Sequence, residues 1–153
     1  MQTFLPYMDF VATARVLDRR RLGKQRVEVI QILNALAGRS RGWQQHPCTR
    51  MWRGHSNALV CYGLAICDAW RARGYRDTCR ETISRQLDPA APLIFPPWLG
   101  DEQLHSAYRA ALLLKEPLHY EQFGWIEAPA PFVAWPVLAC PASAAPAAYA
   151  GSG

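Results

Sequence analysis

Residues 17–36, LDRRRLGKQRVEVIQILNAL, sort into two faces when wound on a helix of 3.6 residues per turn. Leu22, Val29, Leu33 and Leu36 fall on one stripe, with Ile30 and Ile32 at its margins. Arg20, Lys24, Glu28 and Gln31 stack on a different face. Asp18 suits the N-cap and Gly38 the C′ position. Arg19, Arg20, Arg21, Lys24 and Arg26 crowd between Asp18 and Glu28. Two readings stay open from pattern alone. Either this is a solvated charged face with Lys24 and Glu28 as an ordinary i,i+4 pair, or it is a basic face that carries one functional acid.

The whole chain bounds the choice. A length of 153 residues predicts one domain, and 50% hydrophobic residues with six Trp predict a folded one. All 17 Lys and Arg lie in residues 1–115 against nine of the 12 acids, so that segment carries +8 and the remainder −3. Positive charge concentrated this way points to an anionic partner, most commonly nucleic acid. Five Cys without a CxxC pair, and no basic-then-apolar leader in residues 1–10, fit free thiols in a reducing cytoplasm. The longest apolar stretch, Ala58–Cys67, is too short to span a bilayer, so no membrane is expected. His46, Cys48 and His55 have no spacing that matches a tetrahedral metal site, and no metal or other cofactor is expected.

Outward from the basic stretch, Asp9 can cap a short helix running to Leu17, with Phe10, Ala14 and Leu17 on one face. Residues 39–50, RSRGWQQHPCTR, read as a loop. There Trp43 either plugs the core or, among three Arg, stacks on a base beside phosphate contacts. A second long helix is predicted from Ser56 or Asn57 to Arg73, burying Leu59, Tyr62, Ile66, Ala69 and Trp70. Gly63 on that stripe would let another helix approach. Asp77 or Thr78 can cap a short helix to Leu87 with Cys79, Ile83 and Leu87 inward. Residues 88–99 hold four of the 12 prolines and must be an extended connector. Asp101 then caps a helix over Glu102–Lys115. An aromatic tail over Pro117–Trp135 is expected to wrap onto the core. Residues 139–153 read as a disordered Ala/Pro-rich tail after a domain over 1–138. The fold class is all-α, about four helices with a long wrapping tail.

Four ordered segments resemble the pyrimidine dimer DNA glycosylase (endonuclease V) family, in particular a bacterial branch of small proteins that begin MQTFLP. LDRRRLGKQRVE is similar to its N-terminal helix signature. GWQQHPCTRMW is similar to its His-Pro segment, WRARGY to the end of its middle helix, and HSAYRAALLLKEPLHY, followed by FGW and WP, to its C-terminal helix. The similarity runs over about residues 1–136.

The resemblance implies a compact helical enzyme that acts on damaged double-stranded DNA as a monomer, without metal. An amine attacks C1′, the base leaves as an imine forms, and β-elimination cuts the strand. By position the supporting acid is Glu28. The amine is that of the chain start, which Gln2 would leave on Met1 because a large second residue prevents Met1 removal; Lys24 is the alternative. The resemblance further implies DNA contacts by Arg19, Arg20, Arg21, Arg26, His46, Arg50, His105, Arg109 and Lys115. Ala107, Tyr108 and Ala111 stand where more polar residues are expected, which implies fewer contacts from that helix. A non-catalytic DNA-binding module, or a glycosylase for another modified base, are the alternatives.

Overall fold

A computed structural model describes residues 1–136. The chain forms α1 (Phe10–Val16), α2 (Arg19–Leu36), α3 (Pro47–Met51), α4 (Ser56–Ala72), α5 (Arg80–Ser84), α6 (Glu102–Lys115) and α7 (Pro117–Tyr120), closed by a 3-10 turn over Glu121–Phe123. There is no strand among the described residues, so the fold is all-α. The expected disordered tail at 139–153 lies outside them.

Local chemistry sets the long elements. Asp9 accepts from the Ala12 N–H at 3.2 Å, Asp18 from Arg21 N–H at 3.3 Å and Asp101 from Gln103 N–H at 3.0 Å. Each carboxylate satisfies a donor that the first helical turn leaves unpaired. Gly38 ends α2 at φ 76° and Gly74 follows α4 at φ 88°, a backbone region that disfavours any side chain.

α4 is the central element and packs on α1, α2 and α5. Its Leu59, Tyr62 and Ile66 are fully buried with Leu22, Val29 and Ile32 of α2 and Ile83 of α5. A Cβ added to Gly63 would lie 2.8 Å from Val29 Cγ1 and 3.1 Å from Ile83 Cγ2, so the glycine permits this approach. The tail does wrap. Trp125 stacks on Tyr120 at 5.4 Å, Phe132 stacks on Tyr108 at 4.2 Å, and the Ala130 N–H donates to the Ala110 carbonyl.

Three expectations need correction. Among the described residues there are seven α-helices rather than about four; Pro47 and Pro117 each start a single turn too short to show a period. The Arg39–Arg50 loop therefore ends in helix, with the His46 ring as its cap, Nδ1 accepting from Cys48 N–H at 3.0 Å. The helix expected to reach Leu87 stops at Ser84, and Leu87 is half exposed. Trp43, read equally as a core plug, stands 43% exposed.

Candidate active site

Residues 1–6 are extended and laid along α2, α3 and α6. Side chains of the packed elements hold several of its backbone groups. Gln2 N–H donates to Glu28 Oε2 at 3.1 Å, and Phe4 N–H donates to Gln25 Oε1 at 2.9 Å. The Gln25 Nε2 amide donates to the Gln2 carbonyl at 2.6 Å and to Glu28 Oε2 at 2.8 Å. Tyr62 Oη, fully buried, lies 2.8 Å from the Phe4 carbonyl and 2.6 Å from Gln25 Oε1. Further along, Trp52 Nε1 donates to Thr3 Oγ1, His105 Nδ1 meets the Leu5 carbonyl at 2.7 Å, and Arg109 donates to the Pro6 carbonyl at 2.7 Å.

Gln25 is the hub of this clamp. It is 1% exposed and uses both ends of its amide to fix the chain start against Glu28. Sequence reasoning passed over it, although a polar side chain spaced between Leu22, Val29 and Ile32 was the available signal. Glu28 itself is 6% exposed, so of the two readings left open the solvated face does not hold at this position. The two N–H donors on Oε2 and Lys24 Nζ, 3.6 Å from Oε1, compensate the buried carboxylate.

These groups open into a cleft of about 560 Å³. Met1, Gln2, Arg20, Lys24 and Glu28 form one wall; Ala111, Leu114, Lys115 and Phe132 form the other. The structure thus brings together the expected acid, both expected amines, and the cations Arg20, Arg21 and Lys115. Lys24 is 72% exposed, so its ammonium is free to move within the mouth. Met1 extends its sulfur to 3.9 Å from Thr49 Oγ1 on α3. Burial lowers the pKa of the His46 ring, and the charge of the chain start pushes it the same way while Glu28 opposes. The Cys48 thiol beside Thr3 is pushed up to about 12 by burial, which makes it a poor nucleophile.

Other expected contact residues are spent inside the protein. His105 is 2% exposed, and its Nε2 accepts from Gly100 N–H while Nδ1 holds Leu5, so no ring nitrogen is left for DNA. Arg109 is held by Glu102, by Glu127 at 3.0 Å and by Pro6. Arg26 pairs with Asp77 at 2.6 Å and lies 4.4 Å over Trp70. These three are corrected from DNA contacts to fastenings. Arg21 is partly committed, to Asp18 at 3.2 Å and Glu116 at 3.4 Å. Arg19 lies over Tyr75 and stays exposed, and Arg50 is half-buried with no hydrogen-bond partner among the described residues. Tyr108 and Ala111 are core residues, which is why their positions on α6 are apolar.

The start of α2 is fixed from the far end of the chain. Tyr120 Oη donates to Asp18 Oδ1 at 2.5 Å and accepts from the Asp18 N–H at 3.0 Å. Burial raises the Asp18 pKa, but the Tyr120 bond and the Arg21 charge outweigh it, leaving this carboxyl below its usual range.

No group of three or more His, Cys, Asp or Glu suited to a metal occurs among the described residues, nor does a helix long and apolar enough to cross a membrane. A family model described as pyrimidine dimer DNA glycosylase matches residues 1–82, just over half of the chain. No curated protein and no solved structure matches it.

Proposed function

The chain belongs to the pyrimidine dimer DNA glycosylase family, and from that premise we propose that it removes damaged bases from duplex DNA and then cuts the strand through an imine. The reading rests on one observation: Glu28, buried beside a cationic cleft that Met1 and Lys24 also line, holds the start of the chain. Its Oε2 holds the first peptide N–H of the chain at 3.1 Å and its Oε1 lies 3.6 Å from Lys24 Nζ.

The steps use only groups at that point. A neutral amine attacks C1′ of the damaged nucleotide, the glycosidic bond breaks, and the base leaves with its electron pair and takes up a proton. The nitrogen loses its proton as the sugar opens, and a cationic imine results. The Glu28 carboxylate stabilises that cation at a partly desolvated site, where an opposite charge is worth most. Loss of a proton from C2′ then expels the 3′ phosphate, and water hydrolyses the imine to free the amine. The Met1 amine is taken as the nucleophile because it starts the segment that Glu28 holds, with Lys24 as the alternative. Arg20, Lys24 and Lys115 at the mouth are suited to the phosphates that flank the lesion. The family name supplies the substrate class, pyrimidine dimers.

The test is borohydride reduction on a duplex containing one abasic site, followed by peptide mapping. A covalent adduct on Met1 is expected. An adduct on Lys24 moves the nucleophile by one helical turn from Glu28, and no adduct with intact DNA binding leaves a non-catalytic binding module.

A further inference from the structure

Trp43 is a large aromatic side chain that stands outside the hydrophobic core. It sits on the 39–53 loop, 43% exposed, and the loop holds it there. Gln44 Nε2 donates to the Ser40 carbonyl at 2.8 Å, Arg53 donates to the Gln44 carbonyl at 3.0 Å, and the Trp43 carbonyl accepts from His46 N–H at 3.2 Å. One edge of the indole is buttressed. The His46 ring meets it at 5.5 Å and 74°, Trp135 meets His46 at 5.8 Å and 90°, and Phe132, which lines the cleft, meets Trp135 at 4.8 Å. This row of rings links the cleft wall to an exposed indole whose orientation is fixed.

Charge around it matches an anionic polymer. Arg41 is exposed and Arg50 half-buried, and neither has a hydrogen-bond or ionic partner among the described residues. Helix α3, which continues that loop, borders the chain start, since the Met1 sulfur reaches Thr49 two residues after Pro47. His46 is kept neutral beside that amine: its Nδ1 accepts a backbone N–H, which a protonated ring would have to surrender. The loop therefore presents a flat apolar face, two free cations and no competing acid at the edge of the cleft.

We propose that Trp43 is a nucleobase-stacking residue, packing its indole on a base unstacked next to the lesion while Arg41 and Arg50 meet the adjoining phosphates. The proposal rests on the reading of the cleft as a site for damaged DNA. Damage opens the helix and frees a base face at little cost, whereas undamaged duplex keeps its bases stacked. Trp43 thus adds affinity for the lesion and little for ordinary duplex.

The test measures equilibrium binding of wild type, Trp43→Ala and Trp43→Phe to two duplexes of one sequence. One carries a tetrahydrofuran abasic analogue beside a 2-aminopurine, and the other has the 2-aminopurine alone. The analogue has no C1′ leaving group or aldehyde, so chemistry does not enter. Trp43→Ala is expected to weaken binding to the abasic duplex by roughly 5- to 100-fold, the range of one base–aromatic stack. It should leave the undamaged duplex within about twofold, a range a lost stack on paired DNA would exceed. Trp43→Phe should retain most of the affinity and the 2-aminopurine quenching. Equal binding by wild type and Trp43→Ala, or equal losses on both duplexes, overturns the stacking proposal. Borohydride trapping on a natural abasic site separates the two readings. An adduct with unchanged Trp43→Ala binding sinks only the stacking, and no adduct with the selective loss sinks only the chemistry.

Discussion

Replacing Gln25 with Leu tests whether the buried amide holds the active geometry. Leucine fills nearly the same space, so the perturbation is the loss of hydrogen bonds and not a cavity. The Phe4 N–H, buried, loses its sole partner, and a stranded buried donor costs about 1–3 kcal/mol. The Gln2 carbonyl and Glu28 Oε2 each lose the Nε2 donor, but both border the cleft and are within reach of water, so together they add about 1–2 kcal/mol. Tyr62 keeps the Phe4 carbonyl and costs little. Burying the leucine methyls returns about 1 kcal/mol. The net expectation is a loss of about 1–4 kcal/mol, less than the 5–15 kcal/mol typical of a domain, so the variant still folds. Urea unfolding should show a lower midpoint at an unchanged slope. Under conditions where the variant is fully folded, the rate of borohydride trapping should drop roughly 10- to 100-fold, because a small misplacement of reacting groups carries that penalty. A stability change below about 0.5 kcal/mol, well under the cost of a stranded buried donor, refutes the hydrogen-bond assignment. Full destabilisation with an unchanged trapping rate refutes the link between the clamp and the chemistry.

Other perturbations address the remaining parts. Glu28→Gln should lower strand cleavage by at least about 100-fold, the scale of removing a charge that stabilises a developing cation, while gel-shift affinity for abasic duplex is kept or increased. Tyr120→Phe removes the bond that lowers the Asp18 pKa and should destabilise by about 1–2 kcal/mol at pH 7. Asp18 binds fewer protons folded than unfolded, so its contribution is complete above about pH 5 and fades as pH falls through its lowered folded value. Acid unfolding of Tyr120→Phe should therefore show a shallower loss of stability below about pH 4. Gly63→Ala should cost about 1–3 kcal/mol through overpacking against Val29, with partial rescue by Val29→Ala in thermal melts. Binding of any duplex should weaken steeply between low and moderate salt; a flat salt response removes the role given to Arg20, Lys24 and Lys115.

The long helices were legible because each carries both a period and an end. Asp18 and Gly38 bracket α2, Gly74 stops α4, and Asp101 starts α6. Gly63 was readable for the same reason, as a missing side chain on a buried stripe. What the sequence hid were polar groups with partners far along the chain. A charge on a helix reads as exposed unless its partner is seen, and the partners here are distant: Asp77 for Arg26, Glu127 for Arg109, Leu5 and Gly100 for His105. The choice left open at Glu28 was settled the same way, since one of its donors is the peptide of Gln2, 26 positions away, beside Gln25 one turn before it. Glu28, Met1 and Lys24 were named as acid and amines through resemblance alone, and Gln25 and Phe132 required coordinates. Residues 1–82 match the family, whereas Ala111, Leu114 and Phe132 of the facing wall lie beyond that match.

The bond between Asp18 and Tyr120 has a consequence for the timing of synthesis. It joins positions separated by 102 residues, and the facing wall of the cleft ends later still, at Phe132. A ribosome that has released Met1, Lys24 and Glu28 has therefore not yet released all of the wall that faces them. The nascent chain carries one side of the cleft early, and the other side is completed only when residues past 130 emerge. Premature termination before Pro117 would leave the cleft without Phe132 and the start of α2 without its Tyr120 bond.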